Sequence, residues 1–214
     1  MSPLSKIIGL LQIDSTVGDL AGNAERLESL TAIAQANGAQ VAIATELAVC
    51  GYPPRDLLLQ PDFITTSFET AKNLAVEIPV LVGTPIPPDH ERNLPANGVV
   101  RAGVLQAVPN KDNTNRVVAK KQLLPSYDVF DETRYFTPAN RSGICRSIGD
   151  IDLGITICED AWQAAGLTPS AYGQDPVASL AEWGRQGVSL DATVNLSASP
   201  YHADKVGSRI KVCR

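Results

Sequence analysis

Four short, almost continuously apolar runs constrain the fold of this chain more than any other feature. They cover Lys6–Ile13, Val41–Thr45, Ile151–Ile157 and Ala192–Leu196. Strands of this composition are buried on both faces, so they need other layers of structure above and below them. Helical patterns alternate with these runs along the chain, and no internal repeat is present. The sequence therefore predicts an α/β fold.

The predicted helices and loops follow from capping and turn residues. Asn23 is predicted as the N-cap of a helix that stops at Asn37-Gly38, and Pro61 as the start of a helix that runs to about Val76. The remaining pattern predicts a strand over Pro79–Thr84, a surface loop over Pro85–Ala96, a hairpin over Asn97–Pro109 with its turn near Arg101-Ala102, an extended run over Arg116–Leu124, a structured loop over Pro125–Asn140, and helices over Leu180–Gln186 and from about Asp204.

Composition excludes several classes of protein. The chain of 214 residues has a net charge of −5, and its longest basic cluster is Lys120-Lys121, which argues against nucleic-acid binding. The apolar run near the N-terminus is too short to span a bilayer and has no cleavage site, so neither a membrane helix nor a secretory signal is expected. Four cysteines without C-x-x-C spacing and two histidines argue against a zinc site. We therefore expect no metal and a reduced, cytoplasmic setting.

Cys158 is a candidate nucleophile because it directly follows the predicted strand Ile151–Ile157. At such a strand-to-turn position the side chain projects from the carboxyl edge of the sheet, and the next backbone N–H groups can face a developing oxyanion. The alternative is a small buried core residue, since free cysteines are often buried. A Cys–His pair is hard to assemble, because His202 is the only plausible base and His90 lies in the proline-rich loop.

Glu46 and Lys121 also lie at the ends of apolar runs. A carboxylate that is partly desolvated at a strand end has a raised pKa and is suited to act as a general base. An inward-facing lysine could polarise a carbonyl and favour the thiolate of a nearby cysteine. For each residue the alternative is a solvated charge at a strand end, which is the commoner fate of both residue types.

The three candidates together resemble the Glu–Lys–Cys triad of the nitrilase superfamily of carbon–nitrogen hydrolases. The resemblance is closest to the glutaminase domains of glutamine-dependent NAD synthetases, and it runs from about Ile7 to the last residues. Its motifs are Thr45-Glu46-Leu47, Gly51-Tyr52-Pro53-Pro54-Arg55-Asp56-Leu57-Leu58, Lys121-Gln122-Leu123-Leu124-Pro125-Ser126-Tyr127, Val129-Phe130-Asp131-Glu132, Arg134-Tyr135-Phe136, Ile157-Cys158-Glu159-Asp160-Ala161-Trp162 and Asn195-Leu196-Ser197-Ala198-Ser199-Pro200-Tyr201-His202. Ser126 departs from the family, which often has Asn at that position.

The resemblance implies a nitrilase-type α-β-β-α four-layer sandwich and a role for each motif residue. Cys158 would attack the side-chain amide of glutamine, Glu46 would act as the base, and Lys121 with the backbone N–H of Glu159 would stabilise the oxyanion. The remaining roles implied by the resemblance are glutamine binding by Tyr127, Ser199 and Lys205, support of the triad by Glu132, and lining of the site, or simple packing, by Tyr52.

The resemblance also implies what this chain does not contain. No Ser-Gly-Gly-x-Asp-Ser phosphate loop occurs in residues 1–214, so ATP and Mg²⁺ are expected only for a synthetase domain, and no cofactor is expected here. We expect residues 1–214 to be a glutaminase domain that is incomplete at its C-terminal end. The expected partners are glutamine, the synthetase domain of the same polypeptide and further copies in a homo-oligomer. Two alternatives stay open, a free-standing amidase for another small amide and a non-catalytic truncated remnant.

Overall fold

A computed structural model describes residues 6–88, 100–109, 115–141, 143–148, 150–169 and 172–213. Its strands are β1 (Ile8–Leu10), β2 (Val41–Ile43), β3 (Val80–Ile86), β4 (Arg101–Ala107), β5 (Arg116–Lys120), β6 (Gly143–Ile148), β7 (Ile151–Ile157) and β8 (Ala192–Leu196). Its α-helices are α1 (Leu20–Ala36), α2 (Pro61–Lys72), α3 (Pro176–Arg185) and α4 (Lys205–Val212), and short 3₁₀ turns cover Arg55–Leu59, Glu132–Arg134 and Cys158–Ala161.

The strands form two sheets. The larger has five strands in the order β1-β2-β3-β4-β5, in which β1, β2 and β3 are parallel, β4 is antiparallel to β3, and β5 is antiparallel to β4. The smaller sheet has the order β6-β7-β8, in which β7 is antiparallel to β6 and parallel to β8. Parallel neighbours end at the same edge of a sheet, so β2 and β7 each deliver the residues that follow them to a carboxyl edge.

The alternation of side chains along each strand builds the four layers. On β2, Val41 and Ile43 pack into the core between the two sheets, whereas Ala42 faces the core beneath α1 and α2. The core between the sheets is completed by residues of β6 and β7 such as Ile148 and Leu153. On the far side α3 packs on β7, where Leu180 closes over Gly154. This confirms the predicted α-β-β-α arrangement.

Helix α1 begins four residues earlier than predicted. The N-cap is Asp19, whose carboxylate accepts the backbone N–H of Gly22 at 3.0 Å, so the prediction of Asn23 as the cap is wrong. Asn23 lies inside the helix, fully buried, and donates its amide to the carbonyl oxygens of Thr16 and Val49 at 2.8 and 3.0 Å. Asn is common at N-caps, but it also occurs at buried positions where its side chain bonds backbone groups of loops. The sequence alone does not distinguish these two roles.

The hairpin predicted to turn near Arg101-Ala102 is also wrong. Arg101 and Ala102 lie inside the continuous strand β4, opposite Ile86 and Pro85 of β3. Residues 89–99, which hold most of the predicted surface loop and the start of the predicted hairpin, lie outside the described residues.

Some other boundaries also differ from the predicted ones, by up to four residues. Strand β1 spans Ile8–Leu10 rather than Lys6–Ile13, and α2 ends at Lys72 rather than near Val76. Strands β7 and β8 have the predicted bounds. Within the described ranges, no helix has the length and the apolar character needed to cross a membrane.

Candidate active site

The ends of three strands place the predicted triad residues in one buried region. Glu46 follows β2, Lys121 directly follows β5, and Cys158 directly follows β7. The first two therefore come from the larger sheet and the third from the smaller one. All three side chains are buried, which is unusual for a lysine and a glutamate unless they are paired.

Lys121 is paired with two carboxylates. Its Nζ lies 2.7 Å from Oε1 of Glu46 and 2.7 Å from the carboxylate of Glu132. Burial alone would lower the pKa of Lys121, but the charges of Glu46 and Glu132 outweigh burial and raise that pKa well above its usual value. The lysine is therefore a permanent cation at the centre of the site.

Glu132 is the second carboxylate on this cation. It also accepts a hydrogen bond from the hydroxyl of Tyr52 at 2.8 Å. Burial raises the pKa of Glu132 to about 7, and the nearby charge of Lys121 limits the rise. Tyr52 and Glu132 are thus hydrogen-bonded to each other beside Lys121.

Cys158 lies at a sharp turn of the backbone. Its φ of 46° is in the left-handed region, which non-glycine residues rarely adopt and which is often associated with functional sites. Burial and the charge of Glu46 raise the pKa of the Cys158 thiol to about 12, although Lys121 acts to lower it. Glu159 is the second residue of the 3₁₀ turn, and the N–H of such a residue has no acceptor within the turn.

Asp160 connects the turn of Cys158 to the segment that follows Lys121. One of its carboxylate oxygens accepts the backbone N–H groups of Gln122 and Leu123, at 3.0 and 2.8 Å, and the other accepts the N–H of Ile157 at 3.0 Å. Sequence reasoning missed this role. Nothing in the sequence shows that the residue two positions after Cys158 reaches the backbone beside Lys121.

The segment after β8 contacts both Cys158 and Glu46. The hydroxyl of Ser197 lies 3.4 Å from Sγ of Cys158, and the N–H of Ala198 donates to Oε2 of Glu46 at 3.2 Å. Asn195 supports this arrangement by donating its side-chain amide to the carbonyl oxygen of Cys158 at 3.1 Å. Sequence analysis placed this segment in a motif but assigned no role to Ser197.

Tyr127 lies beside Glu159, the residue after Cys158. Its hydroxyl donates to the carboxylate of Glu159, with 2.9 Å to each oxygen, and the hydroxyl of Tyr172 reaches the same carboxylate at 3.2 Å. Burial, followed by the neighbouring carboxylate, raises the pKa of both tyrosines. Tyr172 and the side chain of Glu159 are further residues that the sequence analysis missed, since only the backbone N–H of Glu159 was predicted to act.

Ser199 and Lys205 both follow β8, and Lys205 is the first residue of α4. Ser199 lines a cleft of about 400 Å³ together with Glu46, Tyr52 and Ser197. Nζ of Lys205 lies 4.3 Å from the centre of the Trp162 ring, a cation–π contact that leaves the ammonium partly exposed. His202 lies on the exposed surface, where its ring bonds the carbonyl oxygen of Ala203.

Metal-ligand residues do not cluster in the described part of the chain. No group of three or more His, Cys, Asp or Glu side chains there could hold a metal ion. The described charges of the site instead come from one lysine and two glutamates around a thiol, which can support nucleophilic and acid–base chemistry.

Comparison with known families gives an extensive match. The model for the carbon-nitrogen hydrolase family matches residues 7–203. The glutamine-dependent NAD(+) synthetase of Synechocystis sp. is 38% identical over 203 residues, which cover 92% of this chain and 35% of that protein. The enzyme of the same name from Thermotoga maritima is 34% identical over 206 residues, which cover 92% of this chain and 31% of that protein. The chain thus spans about a third of the length of these relatives.

Solved structures show the same fold. Glutamine-dependent NAD+ synthetase from Acinetobacter baumannii, solved with ADP, superposes with a TM-score of 0.71 at 24% identity, covering 94% of this chain and 34% of that chain. A mutant amidase from Nesterenkonia sp. AN1 superposes with a TM-score of 0.63 at 17% identity, covering 93% and 67% of the two chains. In that amidase the acetamide moiety of fluoroacetamide is attached to the active-site cysteine.

Proposed function

This chain belongs to the carbon–nitrogen hydrolase family, and from that membership we propose that it hydrolyses the side-chain amide of glutamine to glutamate and ammonia. The observation that supports this most directly is the buried Lys121 cation, held 2.7 Å from Glu46 and beside the thiol of Cys158. A buried acid, a buried base and a nucleophile in this arrangement fit acyl transfer through a thioester.

In the proposed reaction Sγ of Cys158 attacks the amide carbon while Glu46 takes the thiol proton. A thiol with a pKa of about 12 holds its proton at neutral pH, so transfer to Glu46 must accompany the attack. The proton then passes to the departing amine, which leaves as ammonia, and a thioester remains. Glu46 next activates a water that hydrolyses the thioester and restores the thiol.

The negative oxygen that forms in each step needs donors in place before the reaction. Nζ of Lys121 and the backbone N–H of Glu159 are the proposed donors, since both lie next to Cys158 and the lysine is permanently charged. Loss of one such donor in other hydrolases lowers kcat by about 100-fold to 1,000-fold, so these contacts make a large contribution to the rate.

The amino-acid end of glutamine carries one positive and one negative group. We propose that the carboxylate of Glu159, with the hydroxyls of Tyr127 and Tyr172, binds the ammonium, and that Ser199 and Lys205 bind the carboxylate. The opposite charges of Glu159 and Lys205 match a zwitterion, and the two side chains are close enough for the charge of Glu159 to act on Lys205. A simple amide lacks both groups, so this arrangement favours glutamine over the substrates of a general amidase.

The ammonia would serve NAD synthesis, as the names of the relatives suggest. In this proposal a synthetase domain on the same polypeptide uses ATP and Mg²⁺ to amidate deamido-NAD, and residues 1–214 supply only the ammonia. The glutaminase part of the proposal is independent of that domain, so it can be tested first.

The test compares Cys158→Ala with Cys213→Ala. The first variant should lose glutamine hydrolysis below detection because the nucleophile is absent, whereas the second changes an exposed cysteine and should keep the wild-type rate. Ammonia release is measured with glutamine, asparagine and small aliphatic amides. Wild-type activity on small amides but not on glutamine would establish the amidase alternative. No activity on any amide, with a folded wild-type chain, would contradict both.

A further inference from the structure

Ser197 is the residue directly after β8, and it contacts the reacting sulfur. Its hydroxyl lies 3.4 Å from Sγ of Cys158, which is within the range of a hydrogen bond to sulfur. The neighbouring Ala198 N–H is bonded to Glu46, so a single segment after β8 touches both the nucleophile and the base. This places the Ser197 hydroxyl rigidly rather than on a free loop.

Arg209 fixes the direction of that hydroxyl. Its Nη2 lies 3.4 Å from the oxygen of Ser197, and its guanidinium lies 5.8 Å from the centre of the Trp162 ring. A guanidinium can only donate hydrogen bonds, so the Ser197 oxygen must accept from it. The hydroxyl hydrogen is then free to point at the sulfur of Cys158. The same α4 helix that carries Lys205 therefore reaches the nucleophile through Ser197.

A hydrogen-bond donor beside Sγ of Cys158 would stabilise the thiolate. The charged groups that act on Cys158 include Glu46, Lys121, Glu132 and Lys205, and the carboxylates of Glu46 and Glu132 oppose formation of a thiolate. Lys121 already donates to both carboxylates, so part of its charge is compensated. A hydroxyl aimed at the sulfur would offset negative charge there without adding a further ion to the buried site.

We propose that Ser197 is a further catalytic residue, whose hydroxyl donates a hydrogen bond to the sulfur of Cys158 as the thiol loses its proton, and that Arg209 is a positioning residue for that hydroxyl. The proton itself passes from Sγ to Glu46, and no covalent bond to Ser197 forms or breaks. This inference rests on the proposed function, since it refines the step in which Cys158 becomes a nucleophile.

The test measures the reactivity of the thiol without any substrate. Iodoacetamide alkylates only the thiolate at a useful rate, and labelling of the Cys158 peptide can be followed by mass spectrometry, which separates it from the other cysteines. At a fixed pH well below the thiol pKa, each unit of increase in that pKa removes about tenfold of the thiolate. We expect Ser197→Ala to slow alkylation of Cys158 by about fivefold to tenfold.

Two variants control this measurement. Ser197→Thr keeps the hydroxyl and should alkylate within about twofold of wild type. Thr70→Ala removes a hydroxyl from α2, where it bonds only the carbonyl oxygen of Thr66, and should not change the rate. Because alanine is smaller than serine, the Ser197→Ala change opens the site, so slower alkylation cannot result from blocked access. Thermal unfolding by circular dichroism checks that each variant is folded.

The outcomes separate the two proposals. Slower alkylation in Ser197→Ala, restored in Ser197→Thr, together with a parallel loss in kcat/KM for glutamine, supports the role of Ser197. Unchanged or faster alkylation in a folded Ser197→Ala overturns it, whatever the activity of the wild type. A wild-type chain that alkylates normally but never hydrolyses glutamine overturns the proposed function and with it the catalytic role of Ser197.

Discussion

Lys121 shows, at the scale of one residue, how two carboxylates and a thiol can share an apolar interior. Its ammonium is fully buried, and it is the cation shared by Glu46 and Glu132. Breaking a buried ion pair by removing one partner leaves an uncompensated charge, which is more costly than the net value of the pair. The stability and the chemistry of the site therefore depend on the same side chain.

Replacing Lys121 with Met should destabilise the fold by about 3–5 kcal/mol and abolish glutamine hydrolysis, because two carboxylates lose their common cation. Lys120→Met is the matched control, since the neighbouring strand residue is only half buried, and we expect it to change the free energy of unfolding by less than about 1 kcal/mol. Urea unfolding and an ammonia assay measure the two effects. Adding Glu132→Gln to Lys121→Met should recover part of the stability but none of the activity.

Asp160 predicts a pH dependence of stability. Burial raises its pKa from 3.8 to about 7, although its three backbone hydrogen bonds act to lower it. Between these two values the folded chain holds a proton that the unfolded chain has lost. The contribution of Asp160 to the free energy of unfolding is therefore largest below about pH 4. It falls as the pH rises toward 7, by at most about 1.4 kcal/mol per pH unit.

The variant Asp160→Asn removes this titration. Its oxygen can still accept two N–H groups, but its amide nitrogen cannot accept the N–H of Ile157, so it should be less stable than wild type at pH 4. The difference in the free energy of unfolding between the two proteins should then shrink from pH 4 to pH 7. The titration of Glu132 is common to both and cancels. A difference that grows with pH would contradict the raised pKa of Asp160.

At the scale of an element, β3 supports the segment that carries Glu46 through a close backbone approach. A Cβ at Gly83 would lie 2.4 Å from the N atom of Leu47 and 2.6 Å from the carbonyl oxygen of Thr45. These are backbone atoms on either side of Glu46, so they cannot move aside without moving the proposed base. The middle of β3 therefore needs a glycine for a reason that strand propensity does not express.

We expect Gly83→Ala to lower kcat for glutamine by about tenfold or more and to destabilise the chain by about 1–3 kcal/mol, since the displaced backbone moves Glu46 away from Lys121. Gly184→Ala in α3 is the control. A Cβ there meets nothing within 4 Å, and alanine in a helix is stabilising by up to about 1 kcal/mol. Steady-state kinetics measures kcat of each variant, and thermal unfolding measures its stability. Normal kinetics in Gly83→Ala would show that the Glu46 segment adapts.

The sequence predicts the bounds of some strands better than those of helices. Strands β7 and β8 have the expected bounds, and β7 is buried along almost its whole length whereas β8 is only partly buried. The predicted start of α1 is wrong because Asp and Asn are equally good cap residues. Only the tertiary structure shows that Asn23 is buried inside the helix and bonds the carbonyl oxygens of Thr16 and Val49. The residues of the site show the same difference between what sequence predicts and what only tertiary contacts reveal. Glu46, Lys121 and Cys158 mark strand ends, whereas Asp160, Tyr172 and Ser197 act through contacts between segments distant in sequence.

At the scale of the whole molecule, the geometry of the proposed active site depends on the packing of one sheet on the other. The inner faces meet through side chains such as Ile43, Leu81, Leu153 and Ile155, which are buried in one common core. Protein cores pack at near-crystal density and do not deform continuously, so this interface sets the separation of Glu46 from Cys158. The expected homo-oligomer and the cytoplasmic location stay predictions, and sedimentation of the purified chain tests the first.

The division of the proposed triad between two sheets also makes the chain suited to fragment complementation. A break in the polypeptide between β5 and β6, at residue 142, would leave Glu46, Lys121 and Glu132 on one piece and Cys158 with Ser197 on the other. Neither piece alone would hold all of these residues. Each piece would expose an apolar inner face, and burial of the two faces would favour association of the pieces. Under the proposed function, the rate of ammonia release would then measure how much of the two pieces has reassembled through the sheet interface.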